Sequence, residues 1–214
     1  MIIAIDGSAA SGKGTLAKQL AVKFGFDYLD TGALYRAVAL SLLNAGVKSH
    51  NIKQKQAVNA ALTLDLSLTQ MPEIRDDKVA SLASIVAAFS PVRAELLALQ
   101  RAFAAAPPSS KGVVLDGRDI GTIVLPNADL KFFIDADLDI RAKRRTKELR
   151  QEGQSVMFRD VLADMKARDD RDRTRSVAPL KAADDAITID TSKMDAAAVL
   201  ALAVLHIELV CPSE

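Results

Sequence analysis

The stretch Gly7-Ser8-Ala9-Ala10-Ser11-Gly12-Lys13-Gly14-Thr15 decides the fold. It follows an apolar run, Ile2-Ile3-Ala4-Ile5, closed by Asp6. It precedes a helical pattern in which Leu16, Leu20 and Phe24 recur every four residues. Strand, glycine-rich loop and helix, in that order, are the context of a phosphate-binding loop. The glycines let the backbone curl until successive N–H groups face one concavity. The helix behind contributes the positive end of its dipole, which completes an anion site. In such a loop the backbone N–H groups cradle phosphates of a nucleotide. Lys13 reaches the β- and γ-phosphates, and a hydroxyl, here Thr15, faces Mg²⁺.

The chain has 214 residues, half of them hydrophobic, which suits one α/β domain with small appendages. A net charge of +1 gives no global attraction to nucleic acid or to a membrane surface. The charge is uneven, however. Residues 141–175 hold 12 Lys/Arg against 7 Asp/Glu, a local +5 that leaves −4 elsewhere. A basic segment facing a phosphate-binding loop suits a polyphosphate ligand. The single cysteine, Cys211, cannot form an internal disulfide and reads as a half-buried helix residue rather than a nucleophile. A strand that starts at residue 2 leaves no room for a signal peptide, and no apolar run approaches the ~20 residues of a membrane span. The expected location is therefore the cytoplasm. His50 and His206 are isolated and carry no partner pattern.

Along the chain, Gly25 is a helix stop and Phe26 to Leu29 a short strand. Asp30-Thr31-Gly32 reads as a turn before a helix from Ala33 to Asn44, which carries Tyr35 and Arg36 near the strand ends where α/β proteins bind ligands. Asn51 to Ala61 reads as a helix, and the clean alternation from Leu62 to Leu68 as a half-buried strand. Glu73 to Val86 is helical. Ser90 as N-cap and Pro91 at the first helical position start another helix, running to about Ala105, with Arg93 at its mouth. Gly112 to Leu115 is a buried-type strand ending in Asp116, an acid placed where phosphate-loop proteins hold the metal. Lys131 to Ile134 is a fourth strand. Asp135 or Asp137 caps a basic helix from Leu138 to Glu152, and a second helix runs from near Val156 into Arg168 to Arg175. At helical spacing Arg168, Arg171, Asp172 and Arg175 share one face. Two Arg-bearing helices joined at Gly153 have the make-up of a lid that closes over phosphates. Ala186 to Ile189 is a fifth strand. Ser192 with Asp195 resembles a capping box for a last helix from Lys193 to Val210. The alternation implies a parallel sheet covered on both faces.

The Gly-Lys-Gly-Thr order, with Gly14 where the strict motif has Ser or Thr, resembles the nucleoside monophosphate kinase branch of the P-loop NTPases. Three further motifs narrow this. Asp30-Thr31-Gly32-Ala33-Leu34-Tyr35-Arg36, Asp116-Gly117-Arg118-Asp119-Ile120-Gly121-Thr122, and Arg168 to Leu180 together resemble bacterial cytidylate kinase over nearly the whole chain. The resemblance implies a three-layer α/β P-loop fold with a five-stranded parallel sheet. It implies one domain over 1–214, with an NMP-binding segment near 33–105 and a helical lid near 141–175. It implies transfer of the γ-phosphoryl of ATP to CMP or dCMP, with Mg²⁺, in pyrimidine nucleotide metabolism. By position, Gly7 to Thr15 hold the ATP phosphates, and Lys13, Arg118, Arg168 and Arg175 take the catalytic roles. Thr31, Tyr35, Arg36 and Arg118 line the acceptor site, both arginines reaching its phosphate. Ser84, Arg93 and Asp119 read cytosine. Asp172 faces the sugar hydroxyls, Arg168 and Arg175 turn to phosphates, and Thr15 and Asp116 hold the metal. The implied partners are small molecules, with no nucleic acid and no membrane, and the chain is expected to be a monomer. Many members carry a small antiparallel sheet before the segment matching Glu73-Ile74-Arg75; here Leu62 to Met71 leaves room for about one such strand. Two competitors remain: another nucleoside monophosphate kinase, such as adenylate kinase, and a non-enzymatic or switch-type P-loop protein, such as a regulatory ATPase or GTPase. The motifs of adenylate kinase beyond the loop are missing, and no Asn is followed by Lys, as guanine recognition by Asn-Lys-x-Asp would require.

Overall fold

Isoleucines at alternate positions aim one face of the first strand, β1 (Ile2–Gly7), into the main apolar cluster, where Ile3 and Ile5 are fully buried. In this computed structural model, which describes residues 1–48, 51–109 and 111–210, β1 is the centre of the sheet. It pairs in parallel with β3 (Val113–Gly117) on one side and β4 (Leu130–Asp135) on the other. β4 pairs with β5 (Ile187–Asp190), and β2 (Asp27–Asp30) lies beyond β3, giving the order β2-β3-β1-β4-β5. The α/β class and the five-stranded parallel sheet are as expected. The chain builds one side of β1 first and the other afterwards, so β1 is the switch point. The crevice outside its carboxyl end is where such sheets bind ligands, and residues 7–15 leave β1 there.

The chain divides into two compact units. The first, Met1–Leu29 with Pro107–Thr174 and Ala178–Glu214, holds the sheet. Helix α1 (Lys13–Phe24) ends at Gly25 in the left-handed region, as expected. It packs with α8 (Ala196–Val210) through Leu16, Leu20, Val199, Ala203 and Ile207. Helices α6 (Leu138–Gln151) and α7 (Phe158–Thr174) share a smaller core of Ala142, Leu149, Val161 and Met165, against which Ala9 and Ala10 pack. The second unit, Asp30–Ala106 with Arg175–Val177, is helical: α2 (Thr31–Asn44), α3 (Gln54–Leu62), α4 (Asp77–Val86) and α5 (Ser90–Ala105). Among the described residues no single helix is long and apolar enough to cross a membrane. His50 and Cys211 lie outside the described residues.

Several local expectations are corrected. Leu62 to Leu68 is not a strand. Residues Leu66–Gln70 form a 3₁₀ turn, followed by a second one over Pro72–Arg75. Asp65 accepts the Ser67 N–H at 2.9 Å, and the Thr69 hydroxyl donates to the Leu66 carbonyl at 2.7 Å. These local bonds outcompete a ladder for which no neighbouring strand exists among the described residues. Asp30-Thr31-Gly32 is not a turn before the helix but its start: Asp30 is the N-cap and accepts the Ala33 N–H at 3.0 Å. Phe89, not Ser90, caps α5, with Pro91 inside its first turn. The Ser192–Asp195 capping box does not form. Ser192 donates instead to Asp190, and Asp195 alone accepts from Ala198, so α8 starts later than expected.

These assignments separate in a stability experiment. Leu20→Ala, at a fully buried site, should cost about 2–5 kcal/mol in urea unfolding. Leu66→Ala, in the 3₁₀ turn with Leu66 49% exposed, should cost under about 1 kcal/mol. A Leu66 loss matching that of Leu20 would restore the strand.

Candidate functional site

The loop between β1 and α1 is shaped by glycine at two points. A Cβ on Gly7 would run into the Ile134 carbonyl oxygen of the neighbouring strand. Gly12 caps α1 at φ 96°, a conformation other residues adopt at a cost. The loop is then held by its carbonyls. Arg141 donates to the Ala9 carbonyl at 3.2 Å. Thr191, just past β5, donates its hydroxyl to the Ser11 carbonyl at 2.8 Å. Arg144 grips Thr191 through its hydroxyl at 3.0 Å and its carbonyl at 2.6 Å. Ser8 and Ser11 are fully buried, and Thr15, in the first turn of α1, is exposed.

Lys13 Nζ stands 3.5 Å from Asp116 Oδ2 at the tip of β3. The other Asp116 oxygen accepts the Tyr28 hydroxyl at 3.0 Å. Beside them the backbone leaves β3 through Arg118 and Asp119 into one turn of π-helix, Ile120–Val124. Buried Asp6 fixes that turn, accepting the Ile120 N–H at 2.7 Å and the Gly121 N–H at 2.8 Å. Burial pushes the Asp6 carboxyl from 3.8 up to about 7; the nearby Asp119 charge adds, and the two backbone bonds and Arg118 oppose. Asp119 is buried, and its carbonyl accepts from Ile123 and Val124.

Helix α7 brings Asp172 to the same place. Its carboxylate accepts from Arg118 Nε at 3.1 Å, and Arg118 also donates to the Gly117 carbonyl at 3.2 Å. Arg168 is half-buried on α7. The shared face expected of Arg168, Arg171, Asp172 and Arg175 does not hold to its end. The Thr174 hydroxyl donates to the Asp170 carbonyl, the Asp172 carbonyl accepts from Leu180, and the helix stops at Thr174. Arg175 falls in the second unit.

The remaining candidates also lie in that unit. Arg36 pairs with Asp30 at 2.6 Å across Gly32, where a Cβ would stand 3.1 Å from Asp30 Oδ1 and 3.2 Å from the guanidinium. Thr31 and Ser84 are buried on α2 and α4. Arg93, also buried, donates to the Ala87 carbonyl at 3.3 Å and stacks on the Tyr35 ring at 5.5 Å. The structure thus gathers Lys13, Asp116, Arg118, Asp119 and Asp172 in the first unit, and Thr31, Tyr35, Arg36, Ser84 and Arg93 in the second.

Sequence reasoning missed Asp6, Tyr28, Arg141, Arg144 and Thr191 as parts of this arrangement. Asp6 had a visible signal, a lone acid closing an apolar strand. The two arginines were hidden in a run of cations that looked uniform.

The sequence profile described as "Cytidylate kinase" matches residues 3–209. The chain belongs to the cytidylate kinase family. It is 52% identical over 196 residues to a cytidylate kinase of Paramagnetospirillum magneticum, covering 91% of this chain and 92% of that one. It is 51% identical over 210 residues to a cytidylate kinase of Nitrobacter winogradskyi, covering 98% and 97%. Among solved structures, an uncharacterized protein from Eubacterium ventriosum superposes with a TM-score of 0.55 at 19% identity, covering 97% of this chain and 98% of that one. A sugar kinase from Janibacter does so at 0.52 and 14%, covering 99% and 95%. At such identities these two likenesses speak for the fold alone. In this chain, Gly14 of the Gly-Lys-Gly-Thr loop has a structural neighbour: a Cβ there would lie 3.4 Å from Asp116 Oδ2.

The Asp6 carboxyl gives a pH prediction. Because its folded value is raised, the folded state keeps a proton that the unfolded chain has lost between about pH 4 and 7. The contribution is full below pH 4 and disappears as pH rises through 7. Carboxyl ¹³C NMR should show the Asp6 carboxyl titrating near 7, far from exposed aspartates near ~4. A midpoint below about 5 for Asp6 would show that the two backbone bonds outweigh burial.

Proposed function

We propose that the chain transfers the γ-phosphoryl group of ATP to CMP and dCMP, giving ADP and CDP or dCDP. The observation that carries this reading is the approach of Lys13 to the buried Asp116 at the mouth of the glycine loop, 3.5 Å apart. Transfer through a loose transition state needs positioned positive charge more than a strong base. Lys13 supplies it to the donor phosphates. The acceptor oxygen already belongs to a phosphate, so no proton has to be removed from it. Arg118, Arg168 and Arg175 complete the charge around the transferring group, and Arg36 holds the acceptor phosphate. Helices α6 and α7 act as the lid, and residues 33–105 as the NMP-binding segment.

The donor set suits Mg²⁺. Thr15, an exposed residue, and Asp116 offer hard oxygen ligands, and Gly14 puts no Cβ beside Asp116 Oδ2, where one would stand 3.4 Å away. These two residues would hold the ion, which when bound neutralises charge on the β- and γ-phosphates. The proposed setting is the cytoplasm, with the chain working as a monomer.

Base selection follows from donor–acceptor matching. Cytosine offers an amino donor at N4 and acceptors at N3 and O2; uracil offers an acceptor at position 4 and a donor at N3. A carboxylate at Asp119 accepts from the cytosine amino group and meets the uracil oxygen lone pair to lone pair. Ser84 and Arg93 donate to N3 and O2. Tyr35, Thr31 and Asp172 line the nucleoside. A site built on such bonds rejects the mismatched base by orders of magnitude.

The test is ADP release with a panel of monophosphate acceptors. CMP and dCMP should lead UMP and AMP. Asp119→Ala should lower kcat/KM for CMP far more than for UMP, and it leaves the carbonyl bonds to Ile123 and Val124 in place. Equal proportional losses would show that Asp119 does not read the base, and a preference for AMP would overturn the reading as a whole.

A further inference from the structure

The two oxygens of Asp116 meet different partners. Oδ1 accepts the Tyr28 hydroxyl at 3.0 Å, while Oδ2 lies 3.5 Å from Lys13 Nζ, beside the space that Gly14 leaves open. We propose that Tyr28 is a positioning residue for phosphoryl transfer: its hydroxyl fixes the Asp116 carboxylate so that Oδ2 is kept for the divalent cation of the nucleotide. This inference rests on the assignment of Asp116 to that cation.

The carboxylate of an aspartate rotates in a broad, nearly flat well, so its orientation is set by its partners. Asp116 is 2% exposed, and water cannot supply them. One fixed neutral donor on Oδ1 stops the rotation without consuming charge. The contact to Lys13 then stays at 3.5 Å, longer than the ~2.7–2.9 Å of a charge-assisted hydrogen bond. Such a loose pair is readily exchanged when phosphates and a cation arrive. Without the hydroxyl, the carboxylate loses one restraint and can turn toward the Lys13 ammonium, whose three donors rotate to meet it. That tight pair occupies both the lysine wanted by the phosphates and the oxygen wanted by the cation.

Tyr28 is itself held for this task. It lies on β2, the strand next to β3. Its ring packs against the main apolar cluster, and Lys18 of α1 sits 5.9 Å over its face. These contacts hold the ring beside the tip of β3. Tyr28, Asp116, Lys13 and Lys18 all belong to the first compact unit.

Tyr28→Phe removes the hydroxyl and keeps the ring and its packing. The readout is the affinity of Mn²⁺ for the enzyme·ATP complex, measured from the free-ion EPR signal without turnover. Tyr28→Phe should weaken it about tenfold, the usual effect of removing a partner that orients a metal ligand. Asp116→Asn should weaken it at least as much. In the ATP assay the half-saturating Mg²⁺ concentration of Tyr28→Phe should rise in parallel, with KM for CMP unchanged. A lowered melting temperature with unchanged Mn²⁺ affinity would make the hydroxyl merely structural and overturn the inference, while the Asp116→Asn loss left the cation assignment standing. Unchanged affinity in both variants would remove Asp116 from the cation and the inference with it.

Discussion

The site depends on how the glycine loop is fastened from behind. A loop can present its N–H groups to phosphate only if its carbonyls are satisfied elsewhere. Here Arg141 takes the Ala9 carbonyl and Thr191, steadied by Arg144, takes the Ser11 carbonyl. Arg141 is only 3% exposed, and a buried guanidinium needs compensation. Asp169 provides it at 2.6 Å, the Ala136 carbonyl at 2.8 Å, and Asp135 more loosely at 3.8 Å. One side chain therefore joins α6, α7 and the loop, and its removal would strand the buried Asp169 charge as well as free the loop. Preorganisation of this kind lowers the cost of binding and of charge rearrangement during transfer.

The same economy of contacts governs the acidic residues at the strand ends. Asp6 on β1 spends both oxygens on the backbone of residues 120 and 121, which fixes where Arg118 and Asp119 leave β3. Asp116 on β3 divides its oxygens between a phenol and a lysine. Asp135 on β4 accepts its own neighbour's N–H and pairs with Arg173, which also touches the Ser8 hydroxyl at 3.5 Å. Three adjacent parallel strands thus end in carboxylates, and each has a separate task set by its partners rather than by its residue type.

The sheet, the loop and most helices were legible in the sequence because apolar periodicity and glycine spacing are local signals. The failures have physical causes. Leu62 to Leu68 alternates as a strand would, but alternation reports only two faces; pairing needs a neighbour, and Asp65 and Thr69 close local bonds first. Ser192 looked like a cap because it stands three residues before Asp195, yet Asp190 lies closer in space. The basic run of α6 looked like a surface waiting for phosphates. In the fold Arg141 and Arg144 serve the loop, Arg145 pairs with Glu148 at 2.9 Å and Arg150 donates to the Val156 carbonyl. Which cation is buried and which is exposed is a tertiary property that charge counting does not carry. Tyr28 was invisible for the same reason, since its partner is 88 residues away.

A preformed polyphosphate site at residues 7–15 is testable by amide NMR of the ligand-free protein titrated with ATP. The account predicts saturable shifts concentrated at the N–H groups of Gly12, Lys13, Gly14 and Thr15, reproduced in large part by inorganic triphosphate. Saturable ATP binding that left those four amides unmoved would contradict it.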